Sequence, residues 1–324
     1  MWAFIVRKIL YNIPVYLAIV ALLMVLLRLN DPIYAYLGKN ATEEQAQRLR
    51  VNMGLDDPFV VQYGRLLSRT LTLDFRQESW KQEGRSVKDI MVRSIPKSLS
   101  ITLPEVALAA IVAIFIALVS AYFRGRPIDR ILVIVAVLGM SISYLVYVVF
   151  GQFFFAYLPK AAGWGFTPFQ IEGYKPWIPR AGNPANWVAH CMLPVMIGAI
   201  VAVGYDTRFY RAVMVEESGR DYIVTAMAKG ASKPKIMFVH MLKNAMIPII
   251  TRIMSSLPFL IIGSVLLEWY FNIPGMGREL ITAIINKDFP VVEAFVSVFA
   301  AIFIATVILT DVLYALVDPR VRLS

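Results

Sequence analysis

The sequence predicts an all-α integral membrane protein with six transmembrane helices and a small helical extracytoplasmic region. The 324 residues are 58% hydrophobic and only 17% charged. A soluble domain has about 45–50% apolar and about 25% charged residues. Mean hydropathy is positive. Six apolar runs also approach or exceed the roughly 20 residues that a helix needs to cross hydrocarbon.

The elements follow in order. Residues 9–29 form the first span, behind Arg7 and Lys8. No small-x-small cleavage site follows, so this run is a retained signal-anchor. Residues 30–98 form an extracytoplasmic loop with short helices. Thr42 and Gln45 make a capping box for a helix that Gly54 stops. Pro58 opens a second helix with Val60, Val61, Leu66 and Leu67 as its apolar positions. The alternative for this region is a solvated loop with incidental helices. The remaining spans are residues 99–123, 131–158, 187–205, 246–271 and 291–317, a five-helix core over 99–317. Pro104, Pro194 and Pro258 lie inside spans, where neighbouring helices can satisfy the freed carbonyls. Residues 159–186 carry Trp164 and Trp177 and few charges, as an interfacial loop does.

Charge sets orientation. With the N-terminus inside, the cytoplasmic pieces carry 14 Lys and Arg, against 5 in the two short outside loops. Both termini, including the tail 318–324, are therefore expected in the cytoplasm. The net charge of +10 is read as this loop bias and not as nucleic-acid binding. Cys191 alone rules out an intrachain disulfide, and His190 and His240 are too few for most metal sites, so no metal is expected.

The loop 206–245 is the most informative part. Its apolar positions Ala212, Val215, Ile223, Ala226 and Met227 predict a helix before Gly230. Gly230 permits positive φ or close backbone approach. Ser232 is a good N-cap and Pro234 suits a first turn, so a second helix begins there, carrying Ile236, Val239 and Leu242. Lys229, Lys233 and Lys235 crowd the corner. A plain polar hairpin does not explain apolar faces on both arms.

These residues resemble the EAA loop of ABC importer permeases, in the variant of the dipeptide, oligopeptide and nickel importers. The matching positions are Asp221-Tyr222, Thr225-Ala226, Ala228-Lys229-Gly230, His240, Asn244-Ala245 and Pro248. Glu268, Phe271, Pro274-Gly275 and Gly277 match E-x-x-F-x-x-P-G-x-G, and Asp288-x-Pro290-Val291-Val292 matches D-x-P-V-V. Met53-Gly54-Leu55-Asp56 and the closing Asp318-Pro319-Arg320 also fit. The short lead into the first span and the long outside loop resemble the B-type subunit. Val224 and Lys243 stand where the general pattern has Glu and Pro, departures usual in the peptide branch. Gly139-Met-Ser141-Ile-Ser143 lacks the proline of the family's G-x-S-x-P, which puts the local kink in doubt.

The resemblance implies a type I ABC importer permease fold, multi-pass in the inner membrane of a bacterium. It also implies a homologous second permease subunit, two ATP-binding subunits on the EAA-type loops and an extracytoplasmic solute-binding protein. Thr225, Ala226, Ala228, Lys229, Gly230, Ser232, Lys233, Lys235 and His240 would then couple to the ATPases. No G-x-x-x-x-G-K-[ST] occurs, so ATP and Mg belong to those partners, and the chain carries no cofactor and no catalytic set. Peptides are the default cargo, with nickel, oligosaccharides or other small solutes as alternatives within the class. An ion-coupled secondary transporter or channel is the alternative of a different class.

Candidate path residues are Gly139, Ser141, Ser143 and Tyr144, then Ser255 and Ser256, with Glu105 beside Pro104. Helix–helix packing is the competing reading of the small ones. Asp206 and Asp311 are expected to pair with Arg208 or Arg320 or to cap helices, Glu268 to anchor at the membrane interface, and His190-Cys191 to pack at a helix end.

Overall fold

The computed structural model describes residues 2–28, 33, 37, 42–53, 55–163, 168–176, 184–256 and 265–317. Among them, six helices are long and apolar enough to cross a membrane. The helices are α1 (Trp2–Arg28), α2 (Glu43–Met53), α3 (Phe59–Thr72), α4 (Val87–Tyr122), α5 (Pro127–Ser141), α6 (Tyr144–Ala161), α7 (Pro184–Glu217), α8 (Asp221–Ala228), α9 (Lys233–Met254), α10 (Val265–Tyr270), α11 (Met276–Ile285) and α12 (Phe289–Val317). A single π turn runs through α6 at Phe153–Tyr157 and through α9 at Ile236–Met241.

The chain forms two compact units, which divide it differently from the segments 1–29, 30–98 and 99–317. One unit comprises Met1–Ser98, Ile261–Val265 and Pro274–Ser324. In it α1 packs along α12, and α3 lies against both. Leu23, Phe75, Ile90, Met276, Val291 and Phe295 form its core. In lipid such contacts hold by close packing, because tails offer side chains an equally apolar surrounding. The buried Asp288 carboxylate accepts bonds from the Ser79 hydroxyl and, at 3.0 Å, from the Trp80 N–H, tying the segment between α3 and α4 to the start of α12. The Thr42–Gln45 capping box forms reciprocally, at 3.2 and 3.4 Å, and Pro58 is the N-cap of α3. The apolar face of α3 is narrower than its sequence suggests: Leu66 is buried, whereas Val60 and Val61 are exposed. Gly54, Trp164, Trp177, Pro258 and the tail 318–324 lie outside the described residues.

The second unit comprises Leu99–Leu260 and Leu266–Ile273. Here the structure corrects several boundaries. The run 131–158 is two helices, because Ile142 (φ −84°, ψ 135°) and Ser143 (φ −58°, ψ 137°) are extended and separate α5 from α6. The kink therefore forms without the family's proline. α7 runs on past residue 205 to Glu217, so the first third of the loop 206–245 continues the fourth span. The fifth span likewise starts at Lys233, inside that loop. Its π turn rotates the face that follows: Ile236, Met237, Met241 and Ala245 are buried, whereas Val239 is exposed.

Candidate functional site

The corner is built within one continuous packing cluster. α7 ends at Glu217, turns at Ser218–Arg220, and α8 follows. The Tyr222 hydroxyl spans that turn to Glu217 at 2.7 Å. α8 closes in a Schellman motif: the Ala231 N–H bonds to the Ala226 carbonyl at 3.1 Å, and the Gly230 N–H to Met227 at 2.9 Å. Gly230 has φ +77°, the left-handed region that disfavours side chains. Space around it is open, since a Cβ there would meet nothing within 4 Å. The glycine is required for backbone conformation and not for a close approach within this chain. Ser232 then takes the extended N-cap position, though its side chain makes no capping bond, and Pro234 fits the first turn of α9.

Ile223, Ala226, Ile236 and Met237 bury the inner faces of both arms against Ala117 and Leu118 of α4 and Tyr210 and Met214 of α7. Thr225, Ala228, Lys229 and Lys235 face outward. The Thr225 hydroxyl is spent on the Asp221 carbonyl at 3.1 Å. His240 sits half-buried in the π turn. Lys233 is different: its ammonium donates to the Tyr122 carbonyl at 3.0 Å and lies 4.4 Å from the Tyr122 ring centroid. A cation at the last residue of α4 complements that helix's negative end. Beside the corner, Ile223, Met227, Lys233 and Met241 line an open groove of about 350 Å3.

A second feature is an apolar cavity of about 570 Å3 between α4, α5, α6 and α7. Gly139 lies in its wall, as does Tyr147. The helix break strands the Gly139 carbonyl, and the Tyr147 hydroxyl satisfies it at 2.8 Å. Thr207 also lines the cavity, and its buried hydroxyl has no hydrogen-bond partner among the described residues. Sequence reasoning missed both Tyr147 and Thr207, whose spacing in apolar helices looks like ordinary packing.

The other candidate path residues do not converge there. Ser141 bonds back to Val137 at 2.7 Å, and Ser143 stands at the N-cap position of α6 without a side-chain capping bond. Tyr144 packs in a separate cluster with Trp187 and Phe271. Ser255 and Ser256 bond to carbonyls of their own helix end, each at 2.6 Å. Glu105 lies against Gly198, where a Cβ would come within 2.3 Å of a carboxylate oxygen. That glycine is the space in which the carboxylate sits.

Three expectations about acids change. Asp206 pairs with Arg252 at 3.2 Å and not with Arg208, and Asp311 pairs with Lys8 at 2.8 Å, while Arg320, its expected partner, lies outside the described residues. Glu268 is 1% exposed, while its neighbours Trp269 and Tyr270 are exposed, so the carboxylate is packed inside the fold and the aromatics are the exposed groups of this segment. His190 Nδ1 donates to the Asn186 carbonyl at 2.7 Å, and Cys191 is buried, as at a packed helix end. Among the described residues no cluster of His, Cys, Asp and Glu could hold a metal.

A further acid, Asp129, was not singled out by sequence. It stands alone among Arg124, Arg126 and Arg130, before the apolar run of α5. Arg211 of α7 grips it with two bonds of 2.8 Å, Ser120 of α4 donates at 2.5 Å and the Gly125 N–H at 2.9 Å. The Arg211 guanidinium, helped by the other donors, holds this carboxyl well below the usual carboxylate range.

Residues 111–323 match the family described as binding-protein-dependent transport system inner membrane component, and residues 1–102 match its N-terminal membrane component. A putative peptide transport system permease protein of Brucella abortus is 32% identical over 99% of both chains. A probable peptide ABC transporter permease protein of Sinorhizobium fredii is 30% identical, covering 99% of this chain and all of its own. The oligopeptide transport system permease protein AppB of Bacillus subtilis is 29% identical over 99% of this chain. The chain belongs to the binding-protein-dependent transport system inner membrane component family and is a multi-pass membrane permease subunit.

Proposed function

We propose that this permease subunit forms half of the translocation path of a peptide importer, with a homologous permease as the other half. Two separate ATP-binding subunits grip the corner around Gly230, and an extracytoplasmic solute-binding protein delivers the cargo. Both termini lie in the cytoplasm. The observation that carries this reading is the corner itself. Two arms meet at a left-handed glycine, α9 running on into a membrane helix and α8 joined to another by a three-residue turn; their inner faces are packed, and Lys229 and Lys235 are presented outward beside an open groove. A plain connector has no use for such rigidity.

ATP and Mg are held by the partner subunits, and closure of those subunits pushes the corner. Because α9 runs unbroken from the corner into the membrane, and α8 joins α7 through the short turn Ser218–Arg220 that Tyr222 bridges to Glu217, a displacement there becomes a displacement of the spans. The path runs beside the cavity that Gly139 and Tyr147 line. The names of the relatives favour peptides over nickel or oligosaccharide.

Co-purification followed by reconstitution tests the reading. The expected result is a complex with an ATPase pair whose peptide uptake needs ATP and the binding protein. Uptake by this chain alone, driven by an ion gradient, would show a secondary transporter instead.

A further inference from the structure

We propose that Asp129 and Arg211 are positioning residues that lock the corner to the cytoplasmic ends of α4 and α5, so that ATPase-driven motion reaches the cavity helices as one body. The inference rests on the importer reading for its function but on geometry for its mechanics.

The lock has two struts on the same helix end. In the first, the Asp129 carboxylate gathers donors from three elements: Ser120 on α4, the Gly125 N–H in the α4–α5 turn, and both arms of the Arg211 fork on α7. Arg211 Nε also reaches the Ser120 hydroxyl at 2.9 Å, which closes a ring of polar contacts. In the second, Lys233 at the start of α9 holds the Tyr122 carbonyl and ring, two residues beyond Ser120. The corner lies between Arg211 and Lys233 in the chain, so both of its arms are pinned to residues 120–129.

The chemistry suits a rigid strut. The Asp129 side chain is 4% exposed and that of Arg211 28% exposed, so water competes poorly. A guanidinium fork on a carboxylate sets both distance and angle. Packing alone does not need this arrangement, because a buried ion pair can often be replaced by apolar residues without loss of stability. What the pair adds is a unique register between α5 and α7, whose close approach at Gly204 leaves no room to re-seat. A Cβ there would stand 3.0 Å from the Ala136 carbonyl.

The test uses Arg211→Lys, which keeps the charge but loses the fork, and the double variant Asp129→Asn/Arg211→Gln, which leaves no unpaired buried charge. In the first arm, nitroxides are placed at Arg124→Cys and Lys229→Cys, both exposed, in the full chain in lipid nanodiscs, where Cys191 is buried. The parent is expected to give one narrow distance distribution, and the double variant a broad one. An equally narrow distribution in the double variant overturns the lock, whether or not the importer reading stands. In the second arm, the complete importer is reconstituted with its ATPases and binding protein. Hydrolysis per assembled complex is expected to stay within about twofold while uptake per ATP falls about tenfold, inside the usual range of coupling between sites, with Arg211→Lys in between. A parallel fall of hydrolysis and uptake with the amount of assembled complex shows a merely structural pair and overturns the proposal. A parent complex with no ATP-dependent uptake counts against the importer reading, and the distance arm still decides the lock.

Discussion

The chain interrupts its membrane helices at two instructive places, and the two breaks are built from opposite materials. At Gly230 the backbone turns through a left-handed φ of +77° that strongly favours glycine, and two backbone hydrogen bonds close the turn locally. At Ile142–Ser143 it turns through two extended residues that almost any side chain can adopt, and the stranded Gly139 carbonyl is satisfied by a hydroxyl eight residues away. The first break is specified by one residue's conformational range. The second depends on a partner, Tyr147, that only the folded α6 brings into reach. A break facing water can leave its carbonyls to solvent, whereas one inside hydrocarbon must supply its own donor.

Substitution at Gly230 gives the largest effect that would break this contrast. A valine there faces no steric neighbour but must hold a left-handed φ, at about 1–2 kcal/mol. The expected outcome is normal membrane insertion with uptake per ATP down by about tenfold. Alanine should be milder, and asparagine milder still, because it tolerates that region. Equal coupling across Val, Ala and Asn would mean that the corner does not depend on its glycine.

Tyr147→Phe should come next. It removes one hydroxyl, leaves the Gly139 carbonyl unpaired, and is expected to cost about 1–2 kcal/mol in detergent unfolding. An unchanged midpoint would show that water or lipid headgroups already serve that carbonyl. The smallest effect belongs to Ser143→Pro, which restores the family's G-x-S-x-P. Ser143 has φ −58°, close to the proline value, and Ile142 before it is extended as a pre-proline residue must be. The expected gain is about 0.5 kcal/mol with uptake unchanged. A loss would show that the break needs freedom and not a fixed angle.

Much of the corner was legible because its signals are local. Glycine, a serine N-cap position and a first-turn proline each act within a few residues, and the structure places all three where those rules put them. The apolar spacing was legible only in part: Ile223 and Ala226 are buried, but Ala212 and Met227 are exposed, and a turn at Ser218–Arg220 divides the helix expected before Gly230 into the end of α7 and α8. Val239 was misjudged because a π turn shifts the face by one position, and no single-residue propensity announces that. The Thr42–Gln45 box was legible for the same local reason. Gly139 was found as a small residue in a polar patch, but Ser141, Ser255 and Ser256 share that signature and spend their hydroxyls on their own helices.

By itself the sequence determined the membrane class, the six spans, the permease family and the glycine corner, since each rests on composition or short-range pattern. Only the tertiary structure decided where the third span breaks and which cations hold Asp206 and Asp311. It also decided that Glu268 is buried and that Asp129 is the hub of three elements. The reason is physical: an ion pair or a stranded carbonyl is settled by which residue lies within about 3 Å, and sequence separations of 46, 82 and 303 residues carry no mark of that distance.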